Sequence, residues 1–317
     1  MKKEAKKDLL GEGKCKALRC GFVAVVGRPN VGKSTLVNNI LGEKIAIVST
    51  VPQTTRNKIR GIYNDERGQI IFIDTPGMHL AQDALGKYMN NASQQVIQEA
   101  DLVVHLVDTR EQTGREEKII VERLRDLKKP IILGLNKIDL KGKYLPQYLQ
   151  LWEAELGKPI QELADSLIAI PLSGLTGANL DKLLNEIFTR LPKGELLYPR
   201  DIICDIPQKL AIEDIIREKF LNLMREEVPF SIAVLVEEII PRSNKLTYIR
   251  ARILVERDSQ KEIVIGKKGH ILKQVGSLAR KELEELLNSK VFLETFVTAE
   301  KNWRKDNRIL RELGYTA

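Results

Sequence analysis

Eight consecutive residues, Gly27-Arg28-Pro29-Asn30-Val31-Gly32-Lys33-Ser34, match the pattern G-x-x-x-x-G-K-[ST]. Such a loop turns backbone N–H groups toward phosphate oxygens at the N-terminus of a helix. Its lysine then reaches the outer phosphates and its hydroxyl suits Mg²⁺. The spacing predicts phosphate contacts from Gly27, Asn30, Val31, Gly32, Lys33, Ser34 and Thr35. The base is selected elsewhere, by Asn136-Lys137-Ile138-Asp139. A carboxylate at Asp139 accepts from N1–H and from the exocyclic amine of guanine, whereas adenine presents the reverse pattern at N1. Leaving such a charge without its partner costs on the order of a few kcal/mol. Asn136 is expected to tie this segment to the phosphate loop, and the stem of Lys137 to cover the base. Ser173-Gly174 suits a backbone N–H contact to guanine O6.

Between these two segments lies Asp74-Thr75-Pro76-Gly77. Asp74 is expected to hold Mg²⁺ through water, and Gly77 to offer its N–H to the terminal phosphate, so that the segment senses hydrolysis. Of Thr54 and Thr55, one, assigned here as Thr55, is expected to supply a second hydroxyl to Mg²⁺. Thr54, Thr55 and the run Asp74 to Met78 are the candidate switch. Met78 stands where Ras-like enzymes place a glutamine that orients the attacking water. A thioether cannot take that role, so slow intrinsic turnover is expected, with another group completing the site.

A second motif, Gly266-Lys267-Lys268-Gly269, follows the apolar run Ile263-Val264-Ile265. Two glycines allow close approach of a nucleic-acid backbone, and the lysines add attraction for phosphate. Arg242, Lys245, Arg250 and Arg252 are candidates to extend this basic face. Trp303 is expected in the core, with stacking on a base as the alternative.

The elements that must position these groups change character once along the chain. Apolar runs at Phe22–Val26, Ile59–Tyr63, Gln69–Ile73, Leu102–Val107, Ile131–Leu135 and Leu167–Ile170 read as strands. Helical segments such as Glu116–Leu127 and Leu180–Leu191 separate them. That alternation predicts an α/β domain with a mostly parallel sheet over residues 21–191. Two prolines and a glycine within Pro192 to Pro199 predict a linker at 192–201. Residues 202–317 then read as helix, two extended runs, a glycine-bounded loop, a long helix (about 271–287) and a strand. The order α-β-β-α-α-β matches the type II KH topology, an α+β fold whose G-x-x-G loop clamps single-stranded RNA. The apolar face of the long helix is expected at Ile271, Leu272, Val275, Leu278, Ala279, Leu283, Leu286 and Leu287.

Charge and composition agree with two soluble domains. The 317 residues carry a formal net charge of +8, of which residues 1–19 contribute +4 and residues 242–281 contribute +8, leaving the remainder mildly acidic. No apolar run approaches the roughly 18 residues of a membrane span. Cys15, Cys20 and Cys204 are too few and too scattered for a disulfide framework or a zinc site. A cytoplasmic location is expected. The basic tail, taken as residues 1–20, lacks an amphipathic face and is at best a weak membrane anchor.

The ordered set Gly27–Thr35, Pro52-Gln53-Thr54-Thr55-Arg56, Asp74–Gly77 and Asn136–Asp139, followed by one RNA-binding domain, resembles the translation-factor-like GTPases and, within them, the Era family. The likeness continues through Tyr198-Pro199-Arg200-Asp201, Ile215–Lys219 and Leu313-Gly314-Tyr315. It departs at Ser173-Gly174, where the family usually has Ser-Ala. The resemblance implies hydrolysis of GTP to GDP, the 3′ end of 16S ribosomal RNA as partner, a role in 30S subunit assembly, and a monomer. It also implies that a K⁺ ion could sit against the phosphates beside Asn30. Three other readings are weighed against it. They are a constitutive RNA-binding factor with a merely structural nucleotide site, a membrane-surface GTPase, and a tRNA-modifying GTPase, which would need a cysteine-bearing C-terminus.

Overall fold

The structure is a computed structural model of the chain in which residues 17–49, 56–78, 83–163, 166–224 and 228–315 are described. Among them, the first sheet contains β1 (Arg19–Val26), β2 (Ile59–Asp65), β3 (Gly68–Asp74), β4 (Leu102–Asp108), β5 (Ile131–Asn136), β6 (Leu167–Pro171) and β7 (Cys204–Asp205). Their order across the sheet is β6-β5-β4-β1-β3-β2-β7. Pairing is parallel from β6 through β3 and antiparallel at β2 and β7. Helices α1 (Lys33–Leu41), α2 (Ala84–Glu99), α3 (Arg115–Leu124), α4 (Leu145–Leu156) and α5 (Leu180–Arg190) cross over between strands. The strands read as continuous apolar runs because both sheet faces are covered. One core packs Val23, Val25, Leu36, Phe72, Val104 and Leu183; the other packs Ala24, Val26, Val103, Val107, Ile120 and Trp152.

The second unit has α6 (Gln208–Leu223), the single turn α7 (Val228–Ser231), β8 (Ala233–Ser243), β9 (Leu246–Val255), α8 (Asp258–Ile265), α9 (His270–Leu287), β10 (Lys290–Ala299) and α10 (Asn307–Glu312). Its sheet runs β10-β9-β8, with β8–β9 antiparallel and β9–β10 parallel. The pair α8–α9 supplies the crossover that a parallel pair requires. Ile249, Ala251 and Ile253 of β9 pack with Ile212, Ile216 and Phe220 of α6 and with Val275, Ala279 and Leu283 of α9.

The structure moves two of the expected boundaries. Arg19 and Cys20 are not tail: they pair with Gly68 and Gln69 as the start of β1, and the apolar Cys20 is buried. Cys204–Asp205 pair with Gly61 and Arg60, so the first sheet extends beyond the expected domain start at 202. The proline-rich segment before them is strapped to the sheet edge. The buried Gln69 accepts from the backbone N–H groups of Leu197 and Tyr198 and donates to the Tyr198 carbonyl (2.8, 2.9 and 2.9 Å). Composition marks where chain direction changes and cannot report such long-range bonds. On α9, Leu278 and Leu286 are about half exposed. The stripe that meets the sheet, Val275-Ala279-Leu283, is narrower than the full apolar face.

The two units share a fourth core. Leu85 and Met89 of α2 pack against Leu235, Leu254, Trp303, Leu310 and Tyr315. Arg56, from the first unit, is fully buried in the second. Its guanidinium donates to the carbonyls of Ile232 (2.9 Å) and Phe230 (3.2 Å) and lies 5.5 Å from the Trp303 ring centroid. Burial, with Arg217 and Arg304 nearby, pushes its pKa down to about 10, still charged at neutral pH. Around the rim, Lys44 bridges Glu218 and Glu282, and Arg304 meets Asp83 at 2.8 Å.

Candidate nucleotide site and nucleic-acid loop

Strand β1 ends at Val26 and the chain turns sharply into α1. Gly32 caps that helix at φ 101°, and a Cβ there would lie 2.6 Å from the Asn136 side-chain nitrogen. Glycine is thus required twice over, by backbone conformation and by space. Lys33 is buried, and its Nζ donates to the carbonyls of Gly27 (3.2 Å) and Arg28 (2.9 Å). Burial pushes its pKa down to about 8, with the charge of Asp74 working in the opposite direction. A cation held this way is ready to exchange carbonyl partners for phosphate oxygens. The hydroxyl of Ser34 donates to Asp74 Oδ2 at 2.7 Å, bringing two buried oxygen atoms together at the helix start.

Asn136, at the end of β5, joins three loops. Its amide nitrogen donates to the Val31 carbonyl (2.7 Å), and its oxygen accepts from the Gly174 N–H (2.8 Å). Gly174 sits against Leu36 of α1: a Cβ there would be 3.2 Å from the Leu36 Cα and Cβ. An alanine there would fit only with a small shift of α1. Lys137 lies in the left-handed region at φ 65°, and its ammonium donates to the Asn30 carbonyl and to Asp108, both at 2.7 Å. Burial disfavours the charge on Asp108, but hydrogen bonds from Arg110 and Lys137 outweigh it and hold its pKa below the ordinary range.

A cavity of about 590 Å³ opens over this platform. Asn30, Gly32, Lys33, Ser34, Thr35, Gly77, Asn136, Lys137 and Asp139 line it, together with Arg110, Glu111, Val48, Leu140, Leu175 and Asn222. Val31, Asp74 and Ser173 are buried beside it as support. The second group of lining residues was not foreseen. Arg110 and Glu111 follow the C-terminal end of β4, where parallel sheets place ligands, so topology could have flagged them. Asn222 belongs to α6 of the second unit, and no local pattern announces it.

The candidate switch falls partly on residues 50–55, so Thr54 and Thr55 lie outside the described residues. Asp74–Met78 is held firmly. Thr75 Oγ1 donates to the Val25 carbonyl (2.8 Å), Ser93 Oγ donates to the Pro76 carbonyl (2.9 Å), and the Met78 N–H donates to the Gly27 carbonyl (3.1 Å). The Met78 side chain is buried in the core with Ile73, Val96 and Ile97. It is a packing residue, turned away from the phosphate cradle.

The second motif forms a tight connection between α8 and α9. Gly266 has φ 72°, Lys268 φ 54° and Gly269 φ 74°. A Cβ on Gly266 would lie 2.8 Å from the Ile271 side chain, whereas Gly269 faces open space. Lys267 and Lys268 are exposed, as is Lys273 one turn into α9. The expected extension of this basic face is corrected. Ile249, Ala251 and Ile253 face the helices, so Arg250 and Arg252 point to the opposite side of the sheet. There Arg252 meets Glu237 (3.1 Å) and Glu312, while Arg250 lies near Glu237 and Glu238. Arg242 stacks on Tyr248, 4.5 Å from its ring centroid. Lys245 sits at the β8–β9 turn, its N–H donating to the Ser243 hydroxyl. Trp303 is fully buried, with its indole N–H donating to the Ser231 carbonyl (2.8 Å), which excludes stacking on a base.

A phosphate-binding loop, a guanine-type base loop and a G-x-x-G domain in one chain define a GTPase carrying a KH domain. The family described as 50S ribosome-binding GTPase matches residues 22–137, and the KH domain family matches residues 227–304. The GTPase Era of Geobacter metallireducens is 47% identical over 301 residues, 94% of this chain and 98% of that protein. The GTPase Era of Halothermothrix orenii is 42% identical over 298 residues, again 94% and 98%. The crystal structure of Era in complex with MgGDPNP and nucleotides 1506–1542 of 16S ribosomal RNA matches with a TM-score of 0.88 and 39% identity, covering 95% of this chain and 100% of that one. An Aquifex aeolicus Era variant bound to GDP·AlF4⁻ matches at 0.86 and 41%, with the same coverage. The chain belongs to the Era family of GTPases.

Proposed function

We propose that this protein is a GTP-driven switch that docks its KH domain on the 3′ region of 16S ribosomal RNA and assists maturation of the 30S subunit in the cytoplasm, acting as a monomer. The observation that carries this reading is the Gly266–Gly269 loop, with its exposed lysines, in a chain that aligns over 95% of its length with an Era bound to that RNA segment. The proposed units are the nucleotide domain, beginning with β1 at Arg19 and including the edge strand Cys204–Asp205, and the KH domain from α6 onward, joined by the strap at 192–201. No helix among the described residues is long and apolar enough to cross a membrane.

At the nucleotide site, Asp139 would accept from guanine, Lys137 would cover it, and Ser173-Gly174 would offer an N–H to O6. Lys33 and the Gly27–Gly32 loop would take the phosphates. Ser34 and Asp74 present hard oxygen donors 2.7 Å apart, a donor set that suits Mg²⁺. Thr55 would complete it. When bound, the metal neutralises charge developing on the phosphates. Asn30 would hold a K⁺ ion against the same phosphates, supplying the charge that an arginine finger supplies elsewhere. Equal turnover in K⁺ and Na⁺ buffers would remove the ion from the mechanism.

The link to RNA would run through Arg56, which follows the switch threonines and is anchored in the second unit. GTP would set the switch, and the switch would set the orientation of the KH domain. Binding of a 16S 3′ fragment should be tighter with a non-hydrolysable GTP analogue than with GDP. It should fall at least about tenfold in Lys267→Glu/Lys268→Glu, which turns phosphate attraction into repulsion. Equal affinity in both nucleotide states would refute the switch, and an unaffected double variant would refute the RNA face.

A further inference from the structure

A buried polar chain runs from α3 to the phosphate loop, and its inner members, Glu117, His105 and Trp152, lie outside the site described above. Glu117 lies in the first turn of α3, where the helix dipole favours a carboxylate, and it is fully buried. Each of its oxygens has its own partner. Oε1 meets His105 Nε2 at 2.8 Å, and Oε2 is in ion-pair contact with Arg28 Nε at 2.8 Å. His105 is itself fixed: the indole N–H of Trp152 donates to its Nδ1 at 3.3 Å. An indole nitrogen only donates, so Nδ1 is unprotonated and Nε2 carries the ring proton toward Glu117. His105 sits beside Val26, the last residue before the loop, in the β1–β4 register.

Arg28 is the second residue of the phosphate loop. Its side chain points down to Glu117, Glu111 (3.2 Å) and Tyr148 (3.4 Å), while its carbonyl accepts from Lys33 Nζ at 2.9 Å. The same residue is thus clamped below and holds the phosphate-binding lysine above. We propose that Glu117 is a positioning residue for the GTPase reaction: through Arg28 it fixes the first half of the phosphate loop at the height where Lys33 meets the outer phosphates. Trp152 and His105 hold Glu117 in turn. This rests on the GTPase assignment alone, and loss of RNA binding would leave it untouched.

The test separates loop positioning from simple stabilisation. In Glu117→Gln the hydrogen bond with His105 can persist, but the charge facing Arg28 is gone. GDP engages the outer part of the loop, whereas GMP does not. Glu117→Gln should bind GDP about tenfold or more weakly while GMP binding stays within about twofold, as expected when one loop is displaced. Val121→Ala removes buried apolar contact from the same face of α3, one turn on, without touching Arg28. It should lower the Tm yet leave both affinities within about twofold. If Glu117→Gln does not fold, Glu117→Asp, which keeps the charge but is too short for both partners, carries the same comparison. A GDP affinity within twofold of wild type, an equal loss for GDP and GMP, or a matching loss in Val121→Ala would overturn the proposal.

Discussion

Asp139 offers the sharpest residue-scale test. In Asp139→Asn one carboxylate acceptor becomes an amide donor, so the partner of guanine's exocyclic 2-amine is lost while the 2-oxo group of xanthine finds a donor. GTP should weaken roughly 100-fold and xanthosine triphosphate should gain in its place. Competition binding with both nucleotides checks it, and unchanged GTP affinity would remove Asp139 from the base site. Lys33 is the matching test at the phosphates. Its ammonium is held in a buried position by two carbonyls, so Lys33→Ala should abolish measurable turnover without unfolding the protein. Single-turnover assays beside a circular-dichroism melt separate the two effects. At this scale the sequence was highly legible. Gly27–Ser34 and Asn136–Asp139 work through backbone geometry and a few polar atoms, which residue type and spacing determine. Met78 shows the same logic from the other side. Its chemistry ruled out water activation, and burial then showed that it serves the core.

Elements are where charge and burial compete. Glu213 on α6 is largely buried, and burial raises its pKa to about 7, opposed by the Val236 N–H that it accepts at 2.9 Å. The folded state therefore binds this proton more tightly than the unfolded chain. Its contribution to stability is most favourable below the ordinary carboxylate range and is lost as pH rises through about 7. Glu213→Gln keeps the hydrogen-bond acceptor and removes the charge. It should raise the Tm by about 2–4 °C at pH 8 and leave it nearly unchanged at pH 4, read by melts at the two pH values. Element types were also largely readable, because periods of two and of 3.6 leave their mark on apolar residues. Edges were less so. β7 is two residues long and exists because β2 offers it hydrogen-bonding groups. Arg250 and Arg252 looked like neighbours of the G-x-x-G loop in a charge count, but alternation along β9 sends them to the other face.

At the scale of the whole molecule, Arg56 is the most telling contact. It brings a full charge from the first unit into the second and meets carbonyls and an indole there. Arg56→Ala should loosen the junction, with about 3–5 kcal/mol lost because buried polar groups are left unmatched. Hydrogen exchange at residues 230–232 and 303 should accelerate while β4 and β5 stay protected. Unchanged exchange at those positions would mean that the fourth core alone holds the junction. The sequence by itself determined the two folds, the nucleotide chemistry and the G-x-x-G loop, since each depends on residues close together in the chain. Only the tertiary structure decided that Asn222 reaches the nucleotide cavity, that the linker is a strap, that Trp303 is a buried support for Arg56, and that Glu117 lies beneath the phosphate loop. These contacts join residues far apart in sequence. Their partners are chosen by how sheets and helices pack, which no local pattern encodes.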